Sequence, residues 1–273
     1  MPTQVKDGIT PSLSVLLCVN RTSQYLEEAV RSVLSQDDSE FEFLIAANAC
    51  SDALIEELHI LAGEDARVHI FRTAIGQLSF NLNYLADRAA GEYLVRMDAD
   101  DVSEPSRIRV LRAALKVWHP DVLGSWARFI DESGRPIGDF QLPTEPLDIV
   151  RKLPNGTVFC HPTVAIRKDF LLSMGGYLGG FVSEDTDLWI RSVRTGASLR
   201  NIPEYLLRYR IHHGQSTANR RGYAEVAAHW LREFLSCPAW YSAKGLAISL
   251  AKCVFAVPLS RLRRARITSG TQK

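Results

Sequence analysis

The feature that most narrows the fold is a rhythm in the first 120 residues. Four short apolar runs, at residues 14–19, 43–47, 68–71 and 93–97, are each followed by apolar residues at helical spacing. The helical stripes are Tyr25, Leu26, Ala29, Val30, Val33 and Leu34; Leu54, Ile55, Leu58 and Leu61; Leu78, Leu82, Leu85, Ala86 and Ala89; and Ile108, Leu111 and Leu115. Buried strands alternating with amphipathic helices predict a parallel sheet covered by helices. Thr22 or Ser23 is placed to cap the first helix, Asp52 the second, and Gly91 to close the third. Pro105 suits the first turn of the fourth. The last run leads directly into Asp98-Ala-Asp-Asp101. Ligands of open parallel sheets collect at the carboxyl ends of the strands, and carboxylates gathered there repel unless a cation or water offsets their charge.

The second half is less regular. Residues 122–125 read as a strand and 126–130 as one arm of a hairpin turning at Asp131-Glu-Ser-Gly134. Residues 142–156, rich in proline and polar groups, read as a loop over the site, and residues 161–166 as a strand. A short helix over 167–174 ends at Gly175-Gly176. Glu184 and Asp185 open a further helix that carries Leu188, Trp189, Ser192 and Val193 and ends at Gly196. Residues 205–211 alternate as a strand.

Composition excludes several classes. A net charge of +1 does not advertise nucleic-acid binding. The five cysteines, Cys18, Cys50, Cys160, Cys237 and Cys253, are odd in number and form no C-x-x-C pair. They fit neither a disulfide framework nor a zinc cluster, and they suit a reducing cytoplasm. The first ten residues lack the basic and apolar segments of a secretory signal. No run of eighteen apolar residues is present.

Five ordered segments carry a resemblance. They are Ser14-Val-Leu-Leu-Cys-Val-Asn20, Tyr25-Leu-Glu-Glu-Ala-Val-Arg-Ser-Val-Leu-Ser-Gln36, Gly91-Glu-Tyr-Leu-Val-Arg-Met-Asp-Ala-Asp-Asp101, Ser183-Glu-Asp-Thr-Asp-Leu-Trp189 and Tyr209-Arg-Ile-His212. Together they resemble the family 2 glycosyltransferases of bacterial cell-surface polysaccharide synthesis, from about residue 12 to residue 217. The resemblance implies a GT-A, Rossmann-like α/β domain over 1–217, with a nucleotide-binding half (1–104) and an acceptor-binding half (105–217). A helical C-terminal extension then spans 218–273.

The same resemblance implies an inverting transfer from a nucleotide diphosphate-sugar to an acceptor hydroxyl of a saccharide or lipid-linked acceptor. A divalent metal, Mn2+ or Mg2+, would offset the charge of the departing diphosphate. Asp100 would be its direct ligand. Asp98 would lie nearer the ribose or a metal-bound water, and Asp101 replaces either in a shifted register. The plainer alternative makes these aspartates a turn that caps the next helix. Glu184-Asp185 resembles the family's acidic pair, with Asp185 the general base and Glu184 on the acceptor; the alternative is a pair of dipole-stabilised helix-start carboxylates. His212 corresponds to a histidine that binds the metal or the diphosphate, or else faces solvent beside His213. Arg210 is an alternative phosphate contact.

The nucleotide would lie against Val19, Asn20, Arg21, Asn48, Gln77, Asn81, Asp98 and Ala99. Here the chain departs from the family, because Ala47 and Asn48 stand where an acidic pair grips the base. Trp189 either walls the acceptor pocket or packs in the core, Asp187 reads as a helix-surface residue or a support for the site, and His161, before Pro162, fits a structural or acceptor-loop role with no chemistry of its own.

Past residue 217, residues 223–234 form an amphipathic pattern and 245–259 an apolar one that Pro258 ends. Arg261, Arg263, Arg264 and Arg266 follow. An apolar face beside arginines suits peripheral contact with the cytoplasmic face of a membrane; the plainer alternative is a packed helix with a solvated basic tail. Two other functions compete: a sugar-nucleotide-binding protein weakened in turnover, raised by Ala47 and Asn48, and a nucleotidyltransferase, whose glycine- and lysine-rich phosphate loop is not visible. A nicotinamide oxidoreductase lacks its G-x-G-x-x-G.

Overall fold

The computed structural model describes residues 12–180, 182–213 and 220–255. The apolar runs become β1 (Leu13–Val19), β2 (Phe41–Asn48), β3 (Val68–Thr73) and β4 (Tyr93–Met97). The stripes between them become α1 (Leu26–Leu34), α2 (Asp52–Ala62) and α3 (Leu78–Arg88). These four strands pair in parallel in the order β3-β2-β1-β4. Beyond them follow β5 (Val102–Ser103), α4 (Arg107–Trp118), β6 (Val122–Ile130), β7 (Pro136–Phe140), α5 (Pro146–Lys152), β8 (Ala165–Arg167), α6 (Lys168–Ser173), α7 (Glu184–Arg194), β9 (Leu199–Arg210), α8 (Arg220–Ser236) and α9 (Trp240–Val254).

The described strands form one sheet in the order β3-β2-β1-β4-β8-β6-β9-β5, with β7 on β6. Its second half is antiparallel apart from β6–β9. Side chains alternate across the pleat, so each strand feeds two cores. Leu13, Val15 and Leu17 join α1, α2 and α4 on one face; Leu16, Leu44 and Leu94 join α3, α6 and α7 on the other.

Several local expectations are corrected. The first cap is Tyr25 rather than Thr22 or Ser23, since Ser23 Oγ accepts only from the Tyr25 N–H, short of the helix. Ser51 rather than Asp52 caps α2, its hydroxyl accepting from the Leu54 N–H. Ala89 ends α3; Gly91 instead lets the backbone approach β1, because a Cβ there would meet Ser14 Oγ and N inside van der Waals contact. Pro105 precedes α4, which starts at Arg107. The Gln36 amide fixes that start, accepting from the Ile108 N–H and donating to Glu104 O.

Residues 122–130 are one continuous strand. The stretch 142–156 is no loop over the site: it holds α5 and a 3-10 turn, with Ile149 and Leu153 in the second core and the turn packed against α9. Residues 161–163 form a 3-10 turn, leaving only Ala165–Arg167 as strand. The helix α8 packs on α7, and α9 on α8. Gly245 of α9 lies flat on Trp230, which is 1 % exposed, and has no room for a Cβ. Pro258 and the arginines at 261–266 lie outside the described residues, as does residue 217.

Candidate active site

At the carboxyl ends of β1 and β4 lies a cleft of about 440 Å³, lined by Cys18, Val19, Asn20, Arg21, Tyr25, Asp98, Ala99, Asp100, Glu132, His212 and His213, among others. Asp98, Asp100 and Asp101 each bring a carboxylate oxygen within 4.8 Å of the others. Strand β4 delivers all three: the chain leaves it at Met97 and re-pairs at once as β5 against β9, so the aspartates occupy the bend between.

Each carboxylate has a different environment. Asp98 Oδ1 accepts from Arg96 Nη2 at 2.5 Å. Asp100 Oδ2 lies 2.9 Å from His212 Nε2, and the imidazole packs against the Tyr25 ring at 5.1 Å between centroids. Asp101 is fully buried; its Oδ1 accepts from the Arg210 N–H at 2.9 Å and its Oδ2 has no partner. Burial and then the charge of Asp98 raise both Asp100 and Asp101 above the usual carboxylate range. Clustered oxygens, one an orphaned buried atom, and an adjacent imidazole are a donor set that fits a hard divalent cation.

The acidic pair begins α7, and neither Glu184 nor Asp185 is among the residues that line the cleft. The Thr186 N–H donates to Asp185 Oδ1 at 2.6 Å and its hydroxyl at 3.3 Å, while burial pushes Asp185 up. Glu184 is 7 % exposed; burial, and then the Asp185 charge, raise it to about 7. Its Oε1 is 3.9 Å from His161 Nδ1. The loop before α7 is held from α8, where Glu225 Oε2 accepts from the Val182 N–H at 3.1 Å and the Ser183 hydroxyl at 3.0 Å.

Arg96 joins the two groups. It is 3 % exposed, donates to Met97 O and Asp98, and is close enough for its charge to lower both Glu184 and Asp185. Burial opposes its charge, but Asp98 and its neighbours hold it protonated, above the usual arginine range. Arg96 has no expected role in the sequence and His161 only a structural or acceptor-loop one, because a cation inside a short strand and a histidine before proline carry no periodic signal.

The remaining expected residues divide. Val19, Asn20, Arg21 and Ala99 line the cleft; Asn48, Gln77 and Asn81 are not among its lining residues. Asn48 Nδ2 donates to Val19 O at 3.1 Å and Ala46 O at 3.3 Å, tying the ends of β1 and β2 together. Asn81 is fully buried and bonds Thr73 Oγ1, Ile75 O and Gln77 O, so it shapes the turn into α3, which Gln77 starts. Arg210 is no exposed phosphate contact: at 1 % exposure it donates to Glu28 Oε2 at 2.5 Å and Asp100 O at 2.9 Å and covers the Tyr25 ring. Asp187 is fully buried rather than on the helix surface, bound to Arg191 and Arg232. Trp189 is core, against Phe159. The His213 side chain is 99 % exposed, against 12 % for His212.

The curled mixed sheet with flanking helices is a GT-A glycosyltransferase fold. The chain superposes on Staphylococcus aureus TarS in complex with UDP-GlcNAc with a TM-score of 0.67 at 17 % identity, over 90 % of this chain and 73 % of that one. It superposes on the mannosyltransferase PcManGT from Pyrobaculum calidifontis, in complex with GDP-Man and Mn2+, with a TM-score of 0.66 at 16 % identity, over 96 % and 75 %. In sequence, residues 14–174 match glycosyl transferase family 2. The O-antigen biosynthesis glycosyltransferase WbnJ of Escherichia coli is 37 % identical over 231 residues, covering 83 % of this chain and 90 % of that protein. The chain belongs to glycosyl transferase family 2 and is a glycosyltransferase with the GT-A fold.

Proposed function

We propose that the chain transfers a sugar, with inversion, from a nucleotide diphosphate-sugar to a hydroxyl of a saccharide or lipid-linked acceptor in cell-surface polysaccharide or lipopolysaccharide synthesis. The observation that supports this most is the cluster of three carboxylates, Asp98, Asp100 and Asp101, at the end of β4 beside the cleft, together with a second acidic pair, Glu184 and Asp185, at the start of α7. Similarity to an O-antigen enzyme supports the pathway, and the two nucleotide-sugar complexes support the donor class.

Val19, Asn20, Arg21 and Ala99 receive the nucleotide, with Asn48, Gln77 and Asn81 shaping the loops around it. A divalent cation, Mn2+ or Mg2+, would be held by Asp100, Asp98 and His212, and when bound it offsets the charge that grows on the diphosphate. Glu184 orients the acceptor. Asp185 takes the proton from the attacking oxygen, on the side of the sugar opposite the diphosphate. One base with in-line attack leaves the anomeric centre inverted. The Thr186 N–H at 2.6 Å and the charge of Arg96 both favour the ionised Asp185 that this step requires.

The helical extension from residue 218 is the site we assign to the membrane, on its cytoplasmic face. No described helix is long and apolar enough to cross a membrane. Trp240 is 84 % exposed, with Leu235, Leu250, Val254 and Phe255 also open to solvent, and residues 256–273 carry five cations and no acid. Such a combination suits the headgroup region of an anionic leaflet.

The test is incubation with UDP-, GDP- and dTDP-sugars and Mn2+, measuring nucleoside diphosphate release. Slow hydrolysis of one class is expected; release from none would overturn the proposal.

A further inference from the structure

His161 stands outside the residues assigned above, yet its ring is largely buried and contacted on several sides. It opens the 3-10 turn His161–Thr163, which is fixed at both ends: the Thr163 N–H and hydroxyl both donate to Cys160 O at 2.8 Å, and Arg107 Nη2 donates to Pro162 O at 2.8 Å. Two aromatic rings flank the imidazole, Tyr177 at 5.6 Å and Trp189 edge-on at 6.1 Å. Tyr177 is itself fixed, since the Asn83 side chain accepts from the Tyr177 N–H and donates to its carbonyl, each at 2.9 Å.

Its two nitrogens face two different groups. Nε2 is 3.0 Å from the Tyr177 hydroxyl, and Nδ1 is 3.9 Å from Glu184 Oε1. The second distance is longer than a hydrogen bond, and contacts of this kind tighten when a site is filled. Burial, and then the charge of Arg96, push the imidazole well below its usual pKa, so the ring is neutral and carries one proton. A neutral ring satisfies both neighbours in one way when Glu184 is ionised: the Tyr177 hydroxyl donates to Nε2, and Nδ1–H points at the carboxylate.

We propose that His161 is a positioning residue: its Nδ1–H, with the tautomer selected by the Tyr177 hydroxyl, sets the direction of the Glu184 carboxylate and so of the acceptor hydroxyl offered to Asp185. The role rests on Glu184 and Asp185 being the acceptor-side acids. Even at 3.9 Å the ionised carboxylate favours a proton on the nitrogen that faces it, so the tautomer is tested without substrate.

The experiment is 15N NMR of the histidine rings of the full chain at pH 8, which resolves protonated from bare ring nitrogens. The chain has seven histidines, and His161→Gln identifies the resonances of interest by their loss. The expected result is His161 with Nδ1 protonated and Nε2 bare. Glu184→Gln, whose amide oxygen still accepts, retains that tautomer, whereas Glu184→Ala exchanges it for Nε2–H. Nε2–H in the wild-type protein, or an Nδ1–H that persists in a folded Glu184→Ala variant, would overturn the proposal. The wild-type spectrum decides even if Glu184→Ala fails to fold. Nucleotide-sugar hydrolysis, measured separately, tells failure of the wider functional reading from failure of this contact.

Discussion

Arg96 and Asp98 are bonded Nη2 to Oδ1 at 2.5 Å, the arginine side chain 3 % exposed and the aspartate 32 %. A guanidinium this deep is stable only with its carbonyl and carboxylate partners, and it aims the Asp98 carboxylate as it neutralises it. Removing one partner of a buried pair leaves the other uncompensated. Arg96→Met is therefore expected to lower stability by about 3 kcal/mol, read from urea unfolding. Arg96→Lys should recover little of it, since one ammonium cannot span the Met97 carbonyl and Asp98 as the fork does. Wild-type stability in either variant would mean the pair does not support the site.

Asp185→Asn keeps the shape of the side chain and its place on α7 but removes the proton acceptor. Transfer is expected to fall by about 10²–10⁴-fold, while nucleotide affinity, measured by calorimetry, stays within a factor of two or so. Normal transfer would move the base elsewhere.

Glu184 makes stability depend on pH in a defined direction. Burial and the neighbouring Asp185 raise its carboxyl from 4.5 to about 7. Between those values the folded state holds a proton that the unfolded chain has released, so Glu184 lowers stability as pH rises through that window. The penalty is complete above about 7 and absent below 4.5. Glu184→Gln removes it. The variant should melt about 2–4 °C higher than wild type at pH 8, the shift for roughly 1 kcal/mol in a chain of this length, and the gap should close by pH 4.5. A gap that widens toward acid would contradict the assignment.

The membrane assignment is tested on surface residues, because cutting the chain after Ser242 would also uncover Trp230, on which Gly245 packs. Trp240→Ser with Val254→Ser and Phe255→Ser changes side chains that are 57–84 % exposed and should leave the melting temperature unchanged. The triple variant is expected to lose co-sedimentation with phosphatidylglycerol vesicles. Undiminished binding would remove this face from the membrane contact.

The half of the sheet from β1 to β4 was legible because β1, β2 and β4 are buried along nearly their whole length and read as mostly apolar runs, while the edge strand β3 is short and half-buried. The placement of Asp98 and Asp100 followed from where the fourth run stops. What lay hidden did so for physical reasons. Arg96 is a charge inside a strand, tolerated because the bend after β4 supplies Met97 O and the Asp98 carboxylate as partners that no local pattern reveals. Residues 142–156 looked like a loop for their prolines, yet Pro146 occupies the first helical turn, where proline is favoured. Strand β9 starts six residues earlier than its alternation suggests, since its pairing with β6 shifts register near Trp126. The binding of α8 to Ser183 through Glu225 is a long-range contact invisible in either segment alone.

The most direct measurement is calorimetric titration of UDP and GDP into the wild-type protein and Asp100→Ala, each with Mn2+ and with EDTA. Binding of one diphosphate that needs Mn2+ in the wild-type protein, and is weakened at least about tenfold in Asp100→Ala, is the expected result. Equal binding with EDTA, or an Asp100→Ala variant that binds as tightly as wild type, would contradict a cation held at the end of β4.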